Sequence, residues 1–343
     1  MKKNLVVTTI NAPTDALQNS VSLGLQVDCQ AIIVGDKKTP EDFKLSGAEF
    51  LGIGEQSRLG FRIADSLPTG TYSRKMIGYL HSLASGADLI YETDDDNRLY
   101  REFFDETLIN TAARIAAKSG FVNHYEFFTS EKIWPRGLPL DEITAGRNPQ
   151  GPSTRDGLKG DMYTGGFGLV QGIADGNPDV DAVFRLSRAD FDYIGFRFES
   201  AEPLAVLASS NSWLPLNSQV TIWPREFAAL MYLPVTCSFR MTDIWRGYIA
   251  QRVFHEREIA VLLPGPMAFQ DRNDHDLMRD FADEVEGYLG YRAFVRVLES
   301  VELGGLTLEG QLEKCYRELV VAGFFRQSEL QHLGAWIADV QTV

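Results

Sequence analysis

Three consecutive aspartates, Asp94, Asp95 and Asp96, are the strongest candidates for chemistry in this chain of 343 residues. Adjacent carboxylates repel one another, and the repulsion falls when a hard divalent cation lies between them. Mg²⁺ and Mn²⁺ favour such oxygen ligands and often share the ion with substrate phosphates. The triplet therefore predicts a Mn²⁺ or Mg²⁺ site held by Asp94 and Asp96. A solvated acidic turn or a helix N-terminal cluster remains the structural alternative.

The residues before the triplet, 87–91, form a mostly apolar run that is typical of a buried strand in a parallel sheet. Side chains alternate along a strand, so we expect Asp94 and Asp96 to project to one side and Asp95 to the other. Ligands of open α/β sheets bind just beyond the carboxyl ends of the strands. The predicted strand would therefore bring the triplet to the ligand crevice.

The first forty residues predict a βαβ unit, with strands over 5–10 and 29–34 and a helix over 16–25. No G-x-G-x-x-G fingerprint is present, so the unit does not indicate a dinucleotide site. Polar residues at the two strand ends could hold the base and ribose of a nucleotide, although ordinary loop positions explain them equally well. These residues are Thr8, Thr9, Asn11 and Asp36.

An amphipathic helix is predicted over 73–84, and two cations, Arg74 and Lys75, lie at its start. Cations oppose the helix dipole at that end unless an anion is also bound. Both residues are therefore candidates for phosphate contacts, and solvated basic side chains are the alternative. The sequence also predicts strands over 61–65, 193–198, 205–207 and 259–263, helices over 108–117 and 238–254, and a lid or linker over 144–161.

The composition describes a globular protein with an acidic surface, because 33 Lys and Arg oppose 47 Asp and Glu for a formal charge of −14. Non-specific nucleic-acid binding needs a basic surface, so no nucleic-acid partner is expected. The three cysteines are scattered without metal-ligand spacing, which indicates buried thiols in a reducing compartment. No run of 18 apolar residues occurs, so we expect no transmembrane segment and a cytoplasmic location.

Several segments together resemble the STELLO-type glycosyltransferase family, and they extend from about residue 4 to residue 290. The matching segments are 73–80, 90–97, 170–172, 177–182, 237–247 and 269–275. The resemblance implies a GT-A-like (Rossmann-like) α/β fold with a mixed, mostly parallel central sheet flanked by helices and a helical C-terminal region. It also implies that the Asp-x-Asp signature holds a divalent metal on the donor diphosphate.

The expected organisation has three parts, which follow the family resemblance and the helical pattern after residue 271. Residues 1–145 would form the nucleotide-sugar-binding half of the domain, 146–264 the acceptor-side half and 265–343 the C-terminal helical region. The expected reaction moves a sugar from a nucleoside-diphosphate sugar, UDP-linked, to a hydroxyl acceptor such as a glycan or small molecule. A homo-oligomer is compatible with this organisation.

Candidate site residues beyond the triplet follow from what glycosyl transfer requires. Asp243 is the candidate base for an acceptor hydroxyl, and capping the helix that follows is its structural alternative. His275 is the candidate that completes the metal shell, with Asp271 as a rival and Asp95 on the donor side. Aromatic faces suit sugar C–H surfaces, and an acceptor pocket is therefore predicted from Trp134, Arg136, Trp213, Trp245 and Arg246.

Three other functions remain open. A sugar mutase or self-glycosylating protein would use a similar aspartate triplet, and a sugar-nucleotide-binding scaffold would keep the fold without transfer. A nucleotidyltransferase would share the sheet and the metal, but residues 8–12 lack the Gly-rich loop with Arg and Lys that such enzymes present.

Overall fold

The computed structural model describes residues 1–116, 119–145, 161–199, 202–206, 211–271, 273 and 275–343. Its strands are β1 (Lys3–Thr9), β2 (Cys29–Gly35), β3 (Ala48–Leu51), β4 (Leu89–Asp94), β5 (Asn97–Leu99), β6 (Ala113–Ile115), β7 (Gly120–Phe121), β8 (Met162–Tyr163), β9 (Phe167–Gln171), β10 (Ile173–Gly176), β11 (Leu204–Val206), β12 (Ser212–Trp213), β13 (Val220–Pro224), β14 (Ala260–Leu263) and β15 (Pro266–Gln270). Its α-helices are α1 (Asp15–Leu25), α2 (Ile53–Arg58), α3 (Arg62–Ser66), α4 (Lys75–Ala84), α5 (Glu142–Ala145), α6 (Ala182–Ser187), α7 (Thr242–Arg257), α8 (Leu277–Ser300), α9 (Leu308–Val321) and α10 (Glu329–Val340). Short 3₁₀ helices span Tyr72–Arg74, Arg101–Phe104, Glu106–Asn110, His124–Phe127, Arg225–Met231 and Phe239–Met241.

A ten-stranded sheet forms the centre of the described part of the chain, in the order β3-β2-β1-β4-β13-β9-β14-β11-β6-β8. Five of its neighbouring pairs are parallel and four are antiparallel. Helices cover the sheet, and three long helices end the chain. The predicted α/β class, with a mixed, mostly parallel central sheet and a helical C-terminal region, is confirmed.

The parallel unit β2-β1-β4 places the polar strand ends side by side. β1 and β4 are β-branched or aromatic along most of their length and are buried on both faces, as central strands of a helix-covered sheet must be. The register pairs Thr8 of β1 with Asp94 of β4. Thr8 and the first aspartate of the triplet are therefore neighbours at the carboxyl edge of the sheet.

Strand β13 runs antiparallel to both of its neighbours, β4 and β9. Its reversed direction brings the residues before it, 217–219, to the carboxyl ends of those neighbours. Residues 217–219 therefore join the ends of β1 and β4 at the edge of the sheet where the triplet lies.

A second sheet of three strands, β10-β15-β5, lies beyond that edge. β5 begins directly after the triplet, and the backbone N–H of Asp271 donates to the carbonyl of Asp96 over 3.0 Å. β15 lies at the start of the part predicted to be helical, which begins as a strand and continues as helix from Leu277.

Three element predictions were wrong, and tertiary contacts explain two of them. Residues 62–66 form a helix rather than a strand, because both oxygens of Asp339 accept the backbone N–H groups of Arg62 and Ile63 at its start. Residues 108–117 were predicted to be helical, but Ala113–Ile115 pairs with β11 and β8 at the sheet edge. Residues 193–198 form turns and irregular backbone.

Of the predicted lid or linker over 144–161, residues 146–160 lie outside the described residues. Within the described ranges, no helix is long and apolar enough to cross a membrane.

Candidate functional site

The aspartate triplet lies where β4 ends. Asp94 is the last residue of the strand, and Asp95 and Asp96 form a turn into β5. The predicted strand alternation therefore does not reach Asp96, and each carboxylate has its own set of partners. Asp94 is the most open, with a side chain 32% exposed, whereas Asp95 and Asp96 are 7% exposed.

Asp95 is held by neutral donors from the loop after β1. The Thr9 hydroxyl donates to its Oδ2 over 2.5 Å and the Asn11 amide over 3.0 Å. The Asn273 side-chain amide donates to Oδ1 over 3.3 Å. Two predicted donor-site residues, Thr9 and Asn11, therefore lie at the triplet, where they orient its middle carboxylate.

Asp94 is paired with a buried lysine. Lys75 Nζ lies 3.1 Å from Asp94 Oδ1, and the Tyr72 hydroxyl donates to the same oxygen over 2.7 Å. Lys75 is fully buried and also lies 3.8 Å from Glu92 Oε1. Lys75 was a candidate for phosphate contacts, but its Nζ contacts Asp94, Glu92 and the Tyr72 hydroxyl. Its positive charge therefore acts on the site by compensating and orienting Asp94.

Asp96 combines burial with incomplete hydrogen bonding. Its Oδ2 accepts from the Gln270 side chain and from the Asn273 backbone N–H, both over 3.2 Å. Its Oδ1 is buried and has no hydrogen-bond partner. Burial, together with the charges of Asp94 and Asp95, raises the pKa of Asp96 to about 6. A buried carboxylate oxygen without a donor is the environment that a bound cation would complete.

Two carboxylate oxygens at the triplet are left for a divalent ion that a substrate would share. Every hydrogen bond to the Asp94 carboxylate among the described residues goes to Oδ1, and Asp96 Oδ1 has no partner. No group of three or more His, Cys, Asp or Glu within the described ranges is arranged to hold a metal ion by itself. Mg²⁺ commonly binds through one or two carboxylates plus phosphate oxygens and water, which is what this pair allows.

The two candidates for the third metal ligand have partners of their own. His275 Nδ1 lies 3.0 Å from Asp280 Oδ2, the kind of contact that orients many metal-binding imidazoles. His275 forms no metal-binding group with the triplet. Asp271 Oδ2 accepts from Arg98 over 2.7 Å. A role for His275 therefore remains a prediction.

Asp243 lies at the start of α7 in a buried charge network. Its two oxygens accept from the two Nη atoms of Arg136, each over 3.0 Å, and Arg136 also binds Asp179 through Nε and Nη2. Burial alone would raise the pKa of Asp243, but the charge of Arg136 outweighs it and holds that pKa below its usual range. A carboxylate so paired is a weak proton acceptor, and the geometry favours a positioning role.

A line of hydroxyl groups connects this network to the triplet. The Ser218 backbone N–H and hydroxyl contact Asp243 Oδ2 over 3.2 and 3.3 Å. The Ser218 and Tyr72 hydroxyls lie 2.5 Å apart, and Tyr72 bonds to Asp94. The candidate base and the candidate metal ligand are thus two hydrogen-bonding residues apart.

Four predicted binding residues have structural roles instead. Trp213 and Trp245 are 1% exposed, and Trp245 stacks on Phe294 with ring centroids 4.0 Å apart. Arg246 pairs with Glu92 over 2.9 Å. Arg74 is 3% exposed and donates to Gln56 Oε1 over 2.8 Å. All four are buried in the interior and do not line an open pocket, so the predicted binding roles of these residues were wrong.

Two other predicted residues retain partial exposure. Trp134 is half-buried and donates from Nε1 to Asp181 Oδ2 over 2.7 Å. Asp36 is half-buried and accepts from the backbone N–H groups of Lys37 and Gly70 over 2.6 and 2.7 Å. Asp36 follows β2, beside β1, and stays a candidate for the nucleoside.

Sequence reasoning missed several polar residues that complete the site. All except Tyr72, which lies just before α4, lie at or next to strands that it did not identify, and a polar Asn-Ser-Gln run at 217–219 before β13 was the available signal. They are Tyr72, Asn217, Ser218, Gln270 and Asn273.

Comparison with known proteins agrees with the predicted resemblance. A family model described as STELLO glycosyltransferases matches residues 240–343. Two proteins of Arabidopsis thaliana, described as probable glycosyltransferases STELLO1 and STELLO2, are 27% and 28% identical over 357 aligned residues. The alignments cover 100% of this chain but only 44% and 45% of the relatives, so the chain spans less than half of their length.

Among solved structures, the chain is similar to glucosyl-3-phosphoglycerate synthase from Mycobacterium tuberculosis. The complex with Mn²⁺ and UDP-glucose gives a TM-score of 0.41 at 11% identity, covering 84% of this chain and 78% of that chain. The complex that also contains phosphoglyceric acid gives 0.42 at 12% identity, covering 92% and 80%. These values are too low to support a functional argument.

Proposed function

We propose that this chain, which is similar to two probable STELLO glycosyltransferases along its whole length, is a metal-dependent glycosyltransferase. The donor is a nucleoside-diphosphate sugar, with a UDP-linked sugar as the first candidate, and the acceptor is a hydroxyl compound. The relatives support the reaction class, and the arrangement of the triplet supports the metal.

One observation supports the proposal above all others. Asp94 and Asp96 lie at the carboxyl end of a central strand, and the second carries a buried oxygen without a donor. An unsatisfied buried carboxylate is costly unless a cation completes it. The same edge carries Thr8, Thr9 and Asn11, so polar groups for a nucleotide and carboxylates for a metal occur together.

The chemistry assigned to the site is stabilisation of a leaving group. Glycosyl transfer builds negative charge on the departing diphosphate, and a divalent ion on Asp94 and Asp96 would supply Lewis-acid stabilisation there. Lys75 fixes Asp94 by charge, and Thr9, Asn11 and Asn273 fix Asp95 by hydrogen bonds. These protein contacts pre-organise the triplet, so little reorganisation is needed during the reaction.

A thermal-shift screen of nucleoside-diphosphate sugars, with Mn²⁺ and with EDTA, tests the proposal. We expect one donor to raise the melting temperature only when Mn²⁺ is present, because ligand binding stabilises the folded state. Asp94→Asn should lose the shift. Asp88→Asn is the matched control, since Asp88 is exposed just before the opposite end of the same strand.

The outcomes separate the competing functions. A donor shift without release of nucleoside diphosphate in the presence of acceptors would indicate a binding scaffold. A mass increase of the protein after incubation with donor would indicate self-glycosylation. A shift that is equal with EDTA and in Asp94→Asn would refute the metal site.

A further inference from the structure

Arg185, on α6, is a buried arginine without an acidic partner. Its side chain is 7% exposed, and none of the described carboxylates lies within ion-pair distance of it. Its Nη2 donates to the carbonyl of Pro178 over 2.9 Å, and its Nη1 lies 3.5 Å from Asn177 Oδ1. Its Nε is buried and has no acceptor. The guanidinium is therefore partly hydrogen-bonded and forms no ion pair with a described residue.

The acidic residues around Arg185 already have other partners. Asp179 binds Arg136 through both oxygens, over 2.9 and 2.8 Å. Asp280 pairs with His275. Burial lowers the pKa of Arg185 and the charge of Arg240 adds to this, whereas Tyr193, Asp179 and Asp280 act in the opposite direction. A buried guanidinium stays charged, so its environment favours an additional anion.

Hydrogen bonds also connect Arg185 to the triplet. Asn177, which contacts Arg185, donates to the Gln270 carbonyl over 3.5 Å, and the Gln270 side chain donates to Asp96 over 3.2 Å. Two residues thus separate the guanidinium from the predicted metal ligand. The Arg185 guanidinium also lies over the ring of Tyr193, 4.7 Å from its centroid, which holds the cation in place.

We propose that Arg185 anchors an anion subsite, which binds a phosphate or carboxylate group of the acceptor. Arginine is suited to this recognition, because its planar fork matches both groups. The assignment of the anion to an acceptor rests on the proposed function, but anion binding at Arg185 can be tested without a sugar donor. The acceptor is then a hydroxyl compound that carries a negative charge.

The first test measures melting temperature with and without inorganic phosphate at constant pH and ionic strength. Phosphate should raise the melting temperature of the wild type by several degrees and leave that of Arg185→Gln unchanged. Arg188→Gln is the matched control and should respond like the wild type, because Arg188 ends the same helix but lies 3.4 Å from Asp190. Without phosphate, Arg185→Gln should melt no lower than the wild type, since it removes a buried charge that forms no ion pair.

A structural role for Arg185 predicts the opposite result. Arg185→Gln would then melt well below the wild type without phosphate, and the phosphate response would be the same in both proteins. Either finding overturns the proposal. Arg185→Lys keeps the charge with fewer donors and should regain part of the phosphate shift.

The second test separates the two sources of the anion. Glucose 6-phosphate, glucuronate and uncharged glucose are compared as stabilisers of the wild type and of Arg185→Gln. A shift from one charged sugar that disappears in the variant supports the proposal and identifies the anion, and equal effects of all three sugars refute it. If Arg185→Gln instead loses the shift caused by UDP with Mn²⁺, the residue binds the donor diphosphate and the acceptor assignment is wrong.

Failure of the proposed function remains distinguishable from failure of the subsite. A wild type that binds no donor in the presence of Mn²⁺ refutes the proposed transferase, while its response to phosphate still decides whether Arg185 binds anions.

Discussion

Burial of Asp96 disfavours the ionised carboxylate, which is the form that binds a metal ion. The neighbouring carboxylates add to the effect, and the pKa of Asp96 rises to about 6. A carboxyl group whose pKa is raised on folding favours the folded state most when it is protonated. Its contribution to stability is therefore lost as the pH rises from about 4 towards 6.

Asp96→Asn should stabilise the protein at neutral pH while removing metal binding. The unfavourable free energy of ionising Asp96 is about 3 kcal/mol, so the variant should melt higher than the wild type at pH 7.5 and equally at pH 4. Calorimetric scans at the two pH values check this. A variant that melts lower at pH 7.5 would show that the carboxylate is stabilising.

Mn²⁺ binding should weaken as the pH falls through about 6, because protonated Asp96 cannot bind a cation. Titration calorimetry of Mn²⁺ with UDP between pH 5 and pH 8 measures the effect. An affinity that does not change over this range would indicate that Asp96 is not a ligand.

Asp243→Asn distinguishes a base from a positioning residue. The variant should lower kcat by about 10²-fold or less, without moving the pH optimum, because Asp243 is paired with Arg136 and has a lowered pKa. Initial rates across the pH range measure this. Loss of an acidic limb from the profile would restore Asp243 as the base that the sequence predicted.

Residue types alone predicted part of this site. The triplet stands out because three adjacent carboxylates are costly without a cation, and Thr9 and Asn11 follow an obvious strand. Trp213 and Trp245 could not be placed in the same way, since a tryptophan in a pocket and one in the core have the same local sequence. Only the packing of Trp245 on Phe294 decides between them.

At the scale of elements, α7 packs directly on the segment before β13. A Cβ at Gly247 would lie 2.6 Å from the carbonyl oxygen of Leu216, and the next residue, Asn217, contacts Asp179 over 2.9 Å. A larger residue must therefore move either the helix or the site segment.

Gly247→Ala should lower the free energy of unfolding by about 1–3 kcal/mol through this collision. Gly334→Ala is the matched control, because no atom lies within 4 Å of a Cβ placed there in α10. That change should raise the free energy of unfolding by about 0.5–1 kcal/mol. Urea denaturation compares the two, and equal effects would contradict the close approach of α7.

Glu92 links β4, α4, α7 and β13 through one carboxylate. It accepts from Thr221 over 2.7 Å, Trp223 over 3.1 Å and Arg246 over 2.9 Å, and Tyr79 and Lys75 also contact it. Its full burial makes it the main counter-charge for two buried cations.

Glu92→Gln should therefore destabilise the protein by about 3–5 kcal/mol, because it leaves Arg246 with an uncompensated buried charge. Glu55→Gln removes a half-exposed partner of Arg58 and should change stability by about 0.5 kcal/mol or less. Chemical denaturation of both variants provides the comparison. A small effect at Glu92 would show that the cations have other partners.

The elements that the sequence predicted share strong local signals. The β-branched runs of β1 and β2, the apolar run of β14 and the periodic C-terminal helices have little local competition. The errors occur where a distant partner decides, as in α3, whose first N–H groups bind Asp339 from the other end of the chain. The Ala-rich segment around Ala113 has helical propensity, but it pairs with β11 and forms a strand near the edge of the sheet.

At the scale of the whole molecule, buried carboxylates attach the C-terminal helices to the sheet domain. Glu329 accepts from the Tyr232 hydroxyl over 2.6 Å and from the Thr236 N–H over 2.8 Å. Glu284 accepts from the Ala182 N–H over 2.8 Å. These contacts join distant parts of the sequence, so the helices and the sheet depend on one another for stability.

The small sheet β10-β15-β5 has a mechanical consequence. Its strands lead directly from the triplet, to Asn273, and to Asn177 beside Arg185. The residues proposed to bind the donor and those proposed to bind the acceptor anion are therefore connected through one small hydrogen-bonded sheet. Any hinge motion at the site must occur outside this sheet. The distance between the two proposed subsites is then constant, and it limits the length of an acceptor that can reach both.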